Sequence, residues 1–163
     1  MRLEALNNLD RDAFVSSVGW VYEHSPWVAE RAWNSRPFSS LEDLCGKMIS
    51  VVQAASPAEQ VALLRAHPDL GTRAKVSLRS ESEQAEAGLD KLTTREYKCL
   101  THLNTEYKAK FGFPFLYAVK GSSKQGILTA LEIRLAGDPG AELLTALEQV
   151  YRIARFRLED IVK

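Results

Sequence analysis

The residues best suited to chemistry lie in the segment His67-Pro68-Asp69-Leu70-Gly71 and in Ser80-Glu81-Ser82-Glu83-Gln84, which follows it. Because a proline ring disfavours helical geometry in the preceding residue, His67 is expected at the end of a helix rather than inside one. An imidazole titrates near neutral pH, and Glu83 and Gln84 add a carboxylate and an amide. Together these groups suit proton transfer. From the residues alone, His67 is either a catalytic group or a cap for the helix before it.

A further candidate is Arg157, in the last predicted helix. At about 100° per residue, an apolar stripe runs along this helix, and Arg157 lies inside the stripe or at its edge. The stripe consists of Leu143, Leu147, Val150, Ala154, Leu158 and Ile161. Because burial of a lone charge is costly, Arg157 is expected to form an internal salt bridge, to extend its charge to solvent, or to point into a pocket that receives a polar ligand. The same test places His102 on a solvated face, and His24 at a helix end, where a capping role is favoured.

Helical periodicity and capping signals cover almost the whole chain. They predict an all-α, single-domain bundle of about eight helices, with residues 1–163 as one domain. The predicted starts are Asp10, Ser25-Pro26, Ser39 or Ser40, Ser56-Pro57, Ser80, Thr93 or Thr94, Ser123 and Asp138-Pro139. The helix from Arg11 is expected to reach about Tyr22, and the helix from Ser80 about Leu92. Residues 113–119 lack helical periodicity, and Pro114 argues against a central strand there.

Composition narrows the possible partners. Of the 163 residues, 21 are Lys or Arg and 21 are Asp or Glu, so the formal net charge is zero. Nucleic acids and anionic membranes select basic proteins, so neither is expected as a partner.

Cys45 and Cys99 form no CxxC pair and no cluster with histidine, so the sequence predicts reduced, buried thiols and no metal site. Without a recognisable signal peptide or a membrane-spanning apolar run, the expected location is the cytoplasm. The chain also lacks the glycine-rich phosphate loops and the GxSxG turn of other enzyme classes.

Several segments resemble the 2-oxo-4-hydroxy-4-carboxy-5-ureidoimidazoline (OHCU) decarboxylase family. They are His67 to Leu70, Ser80-x-x-Glu83-Gln84 with Ala87-Gly88-Leu89, Phe111 to Phe115, Glu23 to Glu30 and Arg155 to Leu158. The resemblance spans nearly the whole chain, with the segments in the same order. It implies an all-helical fold, usually a homodimer, with no metal or organic cofactor. The implied reaction is loss of CO2 from OHCU to give (S)-allantoin, in urate degradation.

The resemblance also assigns roles to residues. It implies that His67 is the catalytic acid/base, that Glu83 works with it, and that Arg157 is the arginine that the family has in its site near the C-terminus. The implied substrate contacts are Pro68, Ser80, Glu83, Gln84, Phe115, Leu116, Tyr117, Ala118 and Val119, the last five largely through the backbone.

With no cofactor to accept electrons, fixed donors must stabilise the charge left by CO2. The amides of residues 115–119 are expected to be free for this purpose. Arg157 is expected to contact an oxygen that gains charge, with binding of the departing carboxylate as the rival role. Two other functions stay open: a non-catalytic helical binding module, and an enzyme for a related hydantoin or ureido compound.

Overall fold

The computed structural model describes residues 1–71 and 78–163, and within these ranges it contains nine α-helices, three short 3₁₀ turns and no strand. The helices are α1 (Leu3–Asn7), α2 (Arg11–Val18), α3 (Trp27–Ala32), α4 (Leu41–Ala54), α5 (Pro57–Arg65), α6 (Leu78–Glu86), α7 (Thr94–Phe111), α8 (Lys124–Leu135) and α9 (Pro139–Ile161). The all-α fold class is therefore confirmed, as is the non-helical stretch at 113–119. Periodicity does not predict α1, because five residues form little more than one turn.

The chain divides into two compact units. The first comprises residues 1–66 together with 150–163, and the second comprises residues 67–149. A single domain over 1–163 stays a prediction. None of the helices in the described ranges is long and apolar enough to cross a lipid bilayer.

Side-chain caps begin most helices where the sequence indicates. Asp10 accepts a hydrogen bond from the amide of Ala13, and the Ser40 hydroxyl accepts one from Asp43. Ser56 and Thr93 each form a reciprocal capping box with the glutamate three residues later. These bonds satisfy amides that the first helical turn leaves without a partner, so the local sequence is sufficient to fix these four helix starts.

Three predicted boundaries are wrong. The Ser25 hydroxyl donates to the carbonyl of Glu23 instead of capping a helix, and α3 begins after Pro26. The helix from Arg11 ends at Val18 and gives way to a 3₁₀ turn at Gly19–Val21. The third wrong boundary is the end of α6, which lies at Glu86 rather than near Leu92. Gly88 has a φ of +84° and interrupts the helix before a 3₁₀ turn.

Each unit has its own apolar core. In the first unit the fully buried side chains include Leu6, Phe14, Leu44, Met48, Leu63 and Leu64. In the second they include Leu100, Tyr107, Phe115, Ile127 and Leu131. Cys45 is buried as predicted, whereas Cys99 is exposed, so the prediction of a buried thiol is wrong there. Cys99 immediately precedes buried Leu100 in α7 and lies off the apolar face, which runs through Leu100 and Tyr107.

Candidate active site

His67 lies directly beyond the end of α5. The helix ends at Arg65, Ala66 occupies the C-cap position, and Pro68 follows His67. The predicted helix break is therefore confirmed. His67 is only 8% exposed, so its imidazole is buried rather than solvated.

The backbone that follows His67 is held by side chains from two helices. Asn104 in α7 donates from Nδ2 to the carbonyl of Leu70 at 3.0 Å. Gln84 in α6 accepts from the amide of Gly71 through Oε1 at 2.9 Å. Buried or half-buried hydrogen bonds of this kind fix the path of a loop. The loop that carries His67 is thus held in place by side chains of both α6 and α7.

Gly71 is required by this path. Its φ is +69°, which is a conformation that side chains other than glycine rarely adopt. A Cβ atom at this position would also clash with Cδ2 of Leu100. The glycine therefore lets the loop pass close to α7.

Asn104 is a site residue that the sequence reasoning missed. It is 5% exposed, and its Oδ1 accepts no hydrogen bond within the parts of the chain that the structure describes. It follows Leu100 and precedes Tyr107 on the buried face of α7. The wheel test used for Arg157 would have found it, since a buried amide on an apolar stripe needs a specific partner.

Ser80, Glu83 and Gln84 share one face of α6. Residues three and four apart lie above one another on a helix, so a substrate against this face could contact all three. Ser80 is 6% exposed, and Glu83 and Gln84 are half-buried. Through Gln84 this face is joined to the His67 loop, which places the predicted acid/base segment and the predicted polar segment in the same unit.

The segment 113–119 forms neither helix nor strand. Arg134 donates from Nη1 to the carbonyl of Leu116, and Gln149 accepts from the amide of Ala118 at 2.9 Å. The expectation that all amides of 115–119 are free is therefore wrong for Ala118. Within the described residues, the amides of Leu116, Tyr117 and Val119 make no hydrogen bond.

A buried ionic cluster supports this segment, and the sequence reasoning missed it. Arg134 donates from Nε to Glu142 at 2.7 Å, and the hydroxyl of Tyr107 donates to the same carboxylate at 2.5 Å. The side chains of Arg134 and Glu142 are 12% and 5% exposed. Burial, followed by the hydrogen bond to Glu142, raises the pKa of Tyr107, so the phenol stays protonated and donates.

Arg157, in the first unit, forms an internal salt bridge. It is 1% exposed, and Nη1 contacts Oε2 of Glu23 at 2.9 Å and the carbonyl of Val21 at 3.2 Å. This is one of the arrangements that the helical wheel predicts. Glu23 is 3% exposed, and its role as the partner was not predicted, although the family resemblance includes the segment that carries it.

The other two histidines lie on the surface. His102 is exposed and lies 3.3 Å from Glu106, one helical turn away, which confirms its predicted position. His24 is also exposed and has a φ of +46°. Within residues 1–71 and 78–163, no group of three His, Cys, Asp or Glu side chains is placed to hold a metal ion.

Comparisons with known proteins agree on one family. Residues 7–159 match the family model described as OHCU decarboxylase. The chain is 47% identical over 160 residues to the 2-oxo-4-hydroxy-4-carboxy-5-ureidoimidazoline decarboxylase of Haloferax volcanii, covering 98% of this chain and 95% of that protein. It is 45% identical over 163 residues to the uric acid degradation bifunctional protein of a Bacillus strain, of which it spans 32%. A crystal structure of (S)-allantoin synthase aligns with a TM-score of 0.79 and 30% identity, over 99% of this chain and about half, 54%, of the other.

Proposed function

This chain belongs to the OHCU decarboxylase family, and from that membership we propose that it converts OHCU to (S)-allantoin and CO2 in urate degradation. The observation that carries the proposal is the 47% identity to the Haloferax volcanii decarboxylase over nearly the full length of both chains. A match of that extent includes every segment named above as a candidate for substrate contact.

The reaction requires a site that stabilises negative charge and delivers a proton. Breaking the carbon–carboxylate bond leaves an electron pair on the ring carbon, and this negative charge spreads into the ring until a proton arrives on one face. His67 moves that proton, and Glu83 sets the orientation and basicity of the imidazole. In support, His67 is buried at a helix break, and its loop is bonded to Gln84, the neighbour of Glu83.

Substrate is held by groups from three places in the second unit. Pro68 supplies a rigid apolar surface next to His67, and Ser80, Glu83 and Gln84 supply hydrogen bonds from one face of α6. The backbone of Phe115, Leu116, Tyr117, Ala118 and Val119 supplies the remaining contacts. Because Gln149 already binds the Ala118 amide, Ala118 contributes through its carbonyl or its methyl group.

Arg157 contacts an oxygen that gains charge as CO2 leaves. Tight pairing with the carboxylate itself would stabilise the ground state more than the transition state and would slow the reaction. Glu23 and the Val21 carbonyl hold the guanidinium in one position, which is what a preorganised donor requires. Binding of the departing carboxylate is the rival role.

The test compares His67→Ala with His102→Ala. Freshly generated OHCU is supplied, and (S)-allantoin is followed by circular dichroism, because uncatalysed decay gives racemic product. We expect His67→Ala to lose a factor of about 10² to 10⁴ in kcat while it stays folded, as judged by its far-ultraviolet circular dichroism, as for removal of a general acid/base. His102→Ala, at an exposed site, keeps the wild-type rate.

Near wild-type formation of (S)-allantoin by His67→Ala would contradict the assignment. A wild-type protein that binds OHCU without accelerating its loss would favour a binding module. Turnover of a hydantoin or ureido compound, but not of OHCU, would favour a different enzyme.

We also propose that two copies of the chain associate into a homodimer through the second unit. Ile133 in α8 and Leu144 in α9 are the two most exposed large apolar side chains in the described residues, at 69% and 64%, so they are the first positions at which to test this interface. Light scattering after size exclusion should give twice the chain mass, and the Ile133→Glu/Leu144→Glu variant should give the monomer mass. A wild-type monomer, or an unchanged dimer in the variant, would contradict this.

We also propose that this protein is located in the cytoplasm. The exposed Cys99 and the buried Cys45 are both free thiols, which suits a reducing compartment. Cell fractionation with an antibody to the chain checks this, and recovery outside the cytoplasmic fraction would overturn it.

A further inference from the structure

Two side chains hold the backbone on either side of Tyr117. Arg134 binds the carbonyl of Leu116, and Gln149 binds the amide of Ala118. The rings of Phe115 and Tyr117 stack with their centroids 5.9 Å apart, so these two side chains share a face, as residues i and i+2 do in an extended chain. The segment is thus fixed at two successive peptide groups.

The buried cluster makes Arg134 a rigid support. Glu142 accepts from Arg134 and from Tyr107, and the guanidinium lies 4.5 Å from the centre of the Phe115 ring. Planar guanidinium groups suit such combined ionic and stacking contacts. The donor to Leu116 therefore has little freedom to move.

The contact with Arg134 changes the chemistry of one peptide group. The carbonyl of Leu116 and the amide of Tyr117 belong to the same peptide unit. A cation at the carbonyl draws electron density through that unit, which strengthens the N–H as a donor. Within the described residues, this N–H makes no hydrogen bond.

The two supports also lie on the opposite side of the chain from the Tyr117 amide. In an extended chain the N–H and C=O of one residue point to the same side, and those of the next residue point to the opposite side. The Leu116 carbonyl and the Ala118 amide therefore face Arg134 and Gln149. The Tyr117 amide faces away from both.

We propose that Arg134 and Gln149 are positioning residues that aim and polarise the Tyr117 amide at the substrate oxygen that gains negative charge when CO2 leaves. This deepens, and rests on, the proposed decarboxylase function. The carbon–carboxylate bond breaks, its electron pair delocalises onto that oxygen, and the amide stabilises the charge until a proton is delivered to the ring carbon.

The kinetic test uses Gln149→Leu, Gln149→Glu and a matched control. Gln149→Leu removes the acceptor, and we expect kcat to fall about 10²-fold, as for loss of an oxyanion donor, with KM changed less than threefold. Gln149→Glu keeps an acceptor for the Ala118 amide and should recover most of the rate. Lys110→Met removes another cation–carbonyl contact in the same unit, from Nζ to Leu135, and should leave kcat unchanged.

A second measurement uses the wild-type protein and does not depend on turnover. On titration with (S)-allantoin, the amide proton of Tyr117 should move downfield in a nitrogen-15 correlation spectrum, whereas that of Ala118 should hold its position. The reverse pattern would overturn the inference, and so would an unchanged kcat in Gln149→Leu. Failure of the wild-type protein to decarboxylate OHCU would instead contradict the proposed function.

Discussion

The buried pair of Arg157 and Glu23 should be one of the larger single contributions to the stability of the first unit. Their side chains are 2% and 3% exposed, and Nη1 and Oε2 are 2.9 Å apart. Arg157→Met keeps the apolar stem and leaves the Glu23 carboxylate buried without this guanidinium. Removal of one partner of a buried ion pair costs about 3–5 kcal/mol. For a chain of this length, each kcal/mol corresponds to about 2–4 °C, so we expect the thermal midpoint to fall by roughly 6–20 °C.

The assay is thermal and urea unfolding followed by far-ultraviolet circular dichroism. Arg11→Met is the matched control in the same unit, since Arg11 lies 3.8 Å from Glu30 in an exposed pair, which should contribute at most about 1 kcal/mol. The double variant Glu23→Met/Arg157→Met should recover part of the loss, because no carboxylate is then left buried. A loss below about 1 kcal/mol in Arg157→Met would refute the reasoning, since the pair would then behave as a solvated one.

Three further outcomes test the fold. Gly46→Ala should stabilise the protein by about 0.5–1 kcal/mol in urea unfolding, because a Cβ there has open space within α4; a loss of stability would contradict this. Gly71→Ala should destabilise by more than about 1 kcal/mol, because its positive φ and its approach to Leu100 both exclude a Cβ; wild-type stability would show that the loop is not held there. Lys124 holds the pKa of Glu96 at about 2, below its ordinary 4.5, so this carboxylate stabilises the fold above pH 4.5 and the contribution disappears as the pH falls toward 2. Glu96→Gln should flatten that part of the acid unfolding curve, and an unchanged slope would contradict the assignment.

Local sequence was sufficient for most helix boundaries. The capping boxes of Ser56 and Thr93 place the starts of α5 and α7 because every participating atom lies within one turn. The end of α6 could not be placed in the same way. Glycine weakens a helix without always ending it, and only the folded chain shows that Gly88 adopts a positive φ.

In the candidate site too, features set by neighbouring residues could be predicted, whereas contacts between residues distant in the chain could not. The helix break at His67 follows from Pro68, its immediate neighbour, and the burial of Arg157 follows from its position on the apolar stripe of α9. The partner of Arg157 did not follow, because Glu23 is 134 residues away in the chain. The occupied amide of Ala118 was missed for the same reason, since Gln149 comes from another helix.

The sequence by itself therefore determined the helical fold class, the family, the helix break at His67 and the position of Arg157 on the apolar stripe of the last helix. Those properties depend on periodicity and on neighbours within a turn. The tertiary structure decided what each buried group meets: Asn104 at the loop after His67, Arg134 at the carbonyl of Leu116, and Glu23 at Arg157. Hydrophobic periodicity predicts which face of a helix is buried, but only tertiary packing decides which residue contacts that face. The reason is that hydrogen bonds and ion pairs form over a few ångströms between residues that are distant in the chain.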